Sequence, residues 1–182
     1  MTTSDAPGGR DGRSGAARGP EEERADLLEA LGTQRHLFLR TVEGLTDAQA
    51  SERTTVSELT LGGLVKHVSA METRWCDFVE RGPAAMESGD PQEWVDGFRM
   101  LPGETLAELV DAFWVTAART DDLVTSLPDL DVAQPLPTAP WFPPGATRSA
   151  RRVFLHLVAE IAQHAGHADI IRESLDGQKT MG

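Results

Sequence analysis

Residues 151–177 read RRVFLHLVAEIAQHAGHADIIRESLDG, and the reading of the fold turns on how this stretch spaces four ligand-capable side chains. His156, Glu160, His164 and His167 follow one another at intervals of four, four and three. At about 100° per residue they fall within one helical strip about 80° wide. Val153 and Ile171 share that strip and Leu157 borders it, so the side this helix turns to the core carries a carboxylate and imidazoles in its middle. Such groups are costly to bury without partners. A bound divalent metal is the simplest compensation.

Outward from this segment the chain reads as helices. Residues 1–20 are rich in Gly, Ser and Arg with almost no large apolar side chain. They cannot bury enough surface to order themselves, and a disordered tail is expected. From Glu21 to Glu43, Leu27, Leu28, Leu31, Phe38 and Val42 recur at helical intervals behind an acidic first turn. Asp47–Leu59 is polar and fits a short helical turn. Thr60 can cap a second long helix that reaches Glu80 and stops at Gly82-Pro83. A Gly-, Pro- and acid-rich loop spans 81–103, and a third helix runs from Glu104 to Ser126, ended by Pro128. The Pro-rich stretch 128–147 should be an ordered but irregular connection, with the fourth helix running from Arg148 to Leu175 and Gly177 placed to end it. No segment shows strand alternation. Four long helices without an internal repeat give an all-α four-helix bundle over 21–177, followed by a short tail, 178–182.

The fourth helix alone does not choose the ligands. Glu160 and His164 have a spacing that suits a shared cation, but a closed site needs a donor from another helix. His67 is the candidate, because it borders the apolar face of Leu64, Val68, Met71, Trp75 and Phe78 on the second helix. A single histidine on such a face is more often a hydrogen-bonded core or surface residue. The cluster on the fourth helix tips the balance, since otherwise Glu160 and three imidazoles would each need a separate partner.

With 182 residues and 40% hydrophobic content the chain fits one domain with a sizeable core. Its formal net charge of -12 weighs against nucleic acid and anionic membrane surfaces as partners. A small molecule is the expected partner. The lone Cys76 excludes an intramolecular disulfide and a cysteine-based zinc site, and fits a reducing cytoplasm. No apolar run reaches membrane-spanning length, and no signal-peptide core precedes the first helix.

The segments LGGLVKHVSAMETRW (61–75) and RRVFLHLVAEIAQHAGHADIIRESLDG (151–177) resemble the DinB-like superfamily, which includes the metal-binding domain of mycothiol-dependent maleylpyruvate isomerase. The resemblance implies an up-down-down-up bundle, often dimeric, so a homodimer is the protein partner to look for. It also implies a divalent metal held by His67, Glu160 and His164. Glutamate at position 160 is the pattern of the thiol-dependent branch. Zinc suits two nitrogens and a carboxylate, as do nickel, iron and cobalt. His156 and His167, one turn to either side of the ligand pair, are expected to orient ligands or face substrate.

The resemblance points to a low-molecular-weight-thiol-dependent transferase or isomerase, in which mycothiol is the cosubstrate, an electrophile is the acceptor, and the thiolate sits at the open metal position. The short segment after Gly177 leaves no length for the further domain of isomerase relatives, which weighs against isomerase activity. A non-enzymatic metal-binding or stress-response protein and a metal-dependent hydrolase are the alternatives. Of the remaining residues, Cys76 reads as a buried inert thiol and His36 as a bland histidine. Asp169, Arg172 and Glu173 read as surface or interhelix ion pairs. Trp94, Trp114 and Trp141 are candidate pocket walls, with core packing expected for Trp114.

Overall fold

The structure, a computed structural model, describes residues 19–86 and 91–180. The tail expected over 1–20 lies outside the described residues except at its end, where Gly19 caps a helix that opens at Pro20. Helix α1 spans Pro20–Arg40, α2 Asp47–Ala50, α3 Leu61–Arg81, α4 Pro91–Asp96, α5 Leu106–Ser126 and α6 Ala150–Asp176. A 3-10 turn lies at Pro83–Met86. Two three-residue strands, β1 Ala133–Pro135 and β2 Thr147–Ser149, pair antiparallel with Gln134 opposite Arg148.

The four long helices match the sequence-based expectations to within three residues, the largest difference being the first helix, which ends at Arg40 and not at Glu43; most boundaries are set by local chemistry. Thr60, Thr105 and Ser149 each accept a hydrogen bond from a backbone N–H in the first turn of the adjoining helix. At the far end of α6, Gly177 takes the left-handed conformation at φ 80°. Two connections depart from expectation. The loop after α3 contains α4, and the Pro-rich connection is closed by the β1–β2 ladder, whose short strands offer no alternation to read.

Contacts between helices fix their directions. Ser69 meets Thr116 and Cys76 meets Thr120, so α3 and α5 run parallel. Arg151 binds Glu23 while Arg172 donates to the Thr41 carbonyl, which makes α1 and α6 parallel. Trp75 packs on His156 and His67 on His164, so α3 opposes α6. The bundle is therefore up-down-down-up. Its core includes Leu31, Phe38, Leu64, Val68, Phe78, Phe113, Phe154, Leu157 and Ile161, all fully buried. Arg35, 1% exposed, lies among these and binds Glu72, 0% exposed, at 2.5 Å, with Asp121 at 2.7 Å on its other nitrogen. No helix among the described residues is long and apolar enough to cross a membrane.

Arg172 is buried rather than superficial. It donates to the carbonyls of Thr41 and Glu43 beyond the end of α1 and pairs with Asp176. Glu173 pairs with Lys179, and Asp169 accepts from Thr180 in the tail beyond α6. Trp114 also departs from expectation, for it is 48% exposed instead of packed in the core.

Gly62 and Gly63 open α3 with a notch. A Cβ on Gly63 would stand 2.7 Å from the Phe98 carbonyl carbon and 2.8 Å from Thr60 Oγ1, and one on Gly62 would run into Met100. The segment 98–100 can therefore lie directly on the helix, and Lys66 pins the approach to α5 by binding Glu104 at 2.6 Å. This close approach brings Phe98 onto His67. Gly63→Ala is expected to cost about 2 kcal/mol or more, since the obstructing atoms are backbone. Gly32→Ala, on an exposed face of α1 with nothing within 4 Å of the new methyl, should stabilise by up to about 1 kcal/mol. Urea denaturation of both variants checks the contrast, and equal effects would refute the notch.

Candidate metal and thiol site

Helices α3 and α6 face each other across one end of a cavity of about 860 Å³, walled by α4 and by the loop that the β1–β2 ladder closes. His67, Met71, Arg74 and Trp75 line it from α3, Trp94 and Phe98 from the α4 side, Trp141 and Phe142 from the loop, and His156, Glu160 and His164 from α6. The chain's spacing delivers this arrangement. His67, Met71 and Arg74 succeed one another at four and three on α3, and the three α6 residues stand one turn apart.

His67 stacks on Phe98 with ring centroids 4.1 Å apart and meets His164 edge-on at 4.9 Å. Glu160 stands between two imidazoles, its Oε2 3.7 Å from His164 Nε2 and its Oε1 3.7 Å from His156 Nε2. His156 in turn packs edge-on against Trp75 at 5.0 Å. His167 does not line the cavity. It stands behind His164, with the two Nδ1 atoms 3.4 Å apart. Of the residues singled out from sequence, the structure thus gathers His67, His156, Glu160 and His164 at one cavity and leaves His167 on its far side. Trp94 and Trp141 are walls, as expected. Phe98, Phe142 and Arg74 carry no sequence signal as lining residues, and only the folded α3–α4 approach and the ladder reveal them.

Burial favours the neutral form of these imidazoles. Burial, then the neighbouring His164 and Arg74, pushes the pKa of His67 down to about 4. Burial, with His167 adding to it, lowers that of His164. Burial also lowers that of His156, against an opposing pull from Glu160. Neutral imidazole is the form that donates a lone pair to a cation. Two such imidazoles and a carboxylate on facing helices are a donor set of the right chemistry for a divalent metal. Among the described residues no three His, Cys, Asp or Glu side chains are already drawn into a closed ligand set. Cys76 is no part of this site. It is buried against Thr120, and burial pushes its thiol up to about 11.

Comparison with known proteins shows the family and the fold. A family model described as mycothiol-S-transferase matches residues 26–177. Among solved structures, the crystal structure of a conserved protein from Enterococcus faecalis superposes with a TM-score of 0.60 at 16% identity, covering 85% of this chain and 97% of that one. That likeness concerns the fold alone. No curated protein matches the chain.

The depressed histidines have a consequence for stability. His67 in the folded state takes a proton only near pH 4, whereas in the unfolded chain it does so near 6.5. Between those values the unfolded state binds more protons. Stability of chelator-treated protein is therefore complete above about pH 6.5 and falls progressively toward about pH 4. Urea unfolding across this window should give a declining free energy whose slope is reduced in His67→Gln. A flat profile from about pH 7 to about pH 5 would contradict the burial of neutral imidazoles.

Proposed function

The chain belongs to the mycothiol-S-transferase family, and from that premise we propose that it is a cytoplasmic enzyme that transfers a low-molecular-weight thiol to an electrophilic small molecule. His67, Glu160 and His164 are the ligands we assign to a divalent cation, with zinc the first choice. The observation that carries this reading is the meeting of two neutral imidazoles and a carboxylate at the end of an otherwise aromatic cavity. A cation held there would keep the sulfur of an entering thiol in its thiolate form at neutral pH.

The chain's own residues supply the rest. His156, neutral and 3.7 Å from Glu160, takes the thiol proton on Nε2. The sulfur lone pair then forms the S–C bond, and the leaving group departs with its bonding electrons. At a polarised double bond the π pair instead moves to the adjacent carbon, which recovers the proton from His156. Trp75, Trp94, Phe98 and Phe142 hold the apolar part of the acceptor and exclude water. His167 positions His164 through the Nδ1 contact.

His164→Ala should lose both the metal and transfer activity. His167→Ala should keep the metal with affinity weakened about tenfold. His156→Gln should also keep the metal and slow transfer by about 100-fold at neutral pH. Chelation should lower the melting temperature of the wild type, because the cation offsets burial of its ligands. Metal content by elemental analysis together with steady-state kinetics checks the set. Full activity in metal-free His164→Ala protein would eliminate the mechanism.

A further inference from the structure

Most arginines that are partly or fully buried here are satisfied. Arg24 donates to the carbonyls of Val124 and Leu127, Arg35 binds Glu72 and Asp121, Arg151 binds Glu23, and Arg172 binds Asp176. Arg74 is different. It is half-buried, it lines the cavity, and it has no hydrogen-bond or ion-pair partner among the described residues. Glu93 and Glu160 line the same cavity, and neither pairs with it. In a chain with 29 acidic residues against 17 basic ones, a guanidinium that lines an apolar cavity without such a partner has no counter-ion among the described residues.

Position sharpens the point. Arg74 lies seven residues beyond His67, so the two share a face of α3 and stand about 10 Å apart along the axis. A side chain in a helix leans toward the N-terminus, which brings the guanidinium back toward His67 along the aromatic wall. A second cation backs the aromatic wall, for the Arg148 guanidinium stacks 4.6 Å from the centre of the Trp75 ring and 5.7 Å from that of Phe142. The cavity therefore combines the His67–His164 contact, aromatic walls and the cationic Arg74.

We infer that the acceptor taken by this cavity is a planar apolar electrophile bearing a carboxylate, and that Arg74 is the residue that selects it by binding that carboxylate. Arginine suits the task because its planar fork meets both carboxylate oxygens. The net charge of -12 does not oppose this, since screening confines distant charges to within about 8 Å at physiological salt. Arg74 acts at contact range.

The inference deepens the transferase reading, and its test uses a readout that does not need turnover. Chelator-treated protein is titrated with 4-methylbenzoate and with 4-methylbenzamide, an unreactive pair of the same shape, and binding is followed by calorimetry and by tryptophan fluorescence. The acid should bind at least tenfold more tightly. Arg74→Ala should bring the ratio to within twofold of unity, Arg74→Lys should leave an intermediate ratio, and Arg40→Ala, on an exposed face of α1, should leave it unchanged. Equal affinity of the two probes for the wild type, or a preference that survives in folded Arg74→Ala protein, would overturn the assignment. An acid preference without any thiol transfer would instead sink the enzyme reading and leave Arg74 as an anion anchor. Transfer without the preference would do the reverse.

Discussion

Holding imidazoles and a half-buried carboxylate together at one end of an apolar bundle is the constraint around which the rest of this molecule is arranged. His67 and His164 touch only because α3 and α6 run antiparallel in register, and their rings stand 4.9 Å apart on opposite helices. That contact is enclosed by the α4 side and by the loop that the β1–β2 ladder closes. The Gly62-Gly63 notch lets Phe98 lie on His67, and the β1–β2 ladder folds the 136–146 loop over the same opening. Loops anchored on a rigid helical frame commonly carry specificity, and here they supply the aromatic walls.

The bundle contains a second polar cluster, and the contrast is informative. Arg35 and Glu72 are almost fully buried, yet each finds the other at 2.5 Å, and Asp121 closes the far side of the guanidinium. Burial pulls the pKa of Arg35 down, but the adjacent carboxylates more than reverse this and it ends raised. Only Arg35 Nε and Glu72 Oε2 lack partners among the buried side-chain atoms described. Such a pair ties α1 to α3 and completes its own electrostatics, although its net contribution to stability is small once desolvation is counted. At the α3–α6 end the carboxylate and imidazoles stand 3.7 Å apart. In the proposed function their shared need is met by a cation.

Much of this is legible in the sequence, and the reasons differ by element. Caps at Thr60 and the Gly177 stop are local signals, so the α3 start and the α6 end can be placed directly. The donors on α6 are legible because four and three are helical intervals. Which of them meets His67 depends on the pairing of helices about 90 residues apart, and the periodicity of one segment does not carry that. The β1–β2 ladder escapes a sequence reading because three-residue strands ending at Pro135 have no pattern to detect, and α4 because a loop of Gly, Pro and acids masks a single short turn-rich helix. Arg74 and Phe98 become site residues only through tertiary approach. Arg172 reads as one of a set of surface or interhelix charges because a charge in a helical pattern looks solvated until a neighbouring helix end needs a cap.

The central claim is that His67, Glu160 and His164 hold a cation whose remaining position takes a thiol. Replacing the native metal with cobalt(II) makes that position visible by optical absorption. Titration of the cobalt protein with mycothiol should produce a thiolate-to-cobalt charge-transfer band that saturates with one thiol per chain, and the band should vanish in Glu160→Ala and His164→Ala proteins. The chain's own Cys76, buried and held as a thiol, should give no such band before thiol is added. A cobalt spectrum that mycothiol leaves unchanged, or a band that persists after both ligand substitutions, would contradict the account.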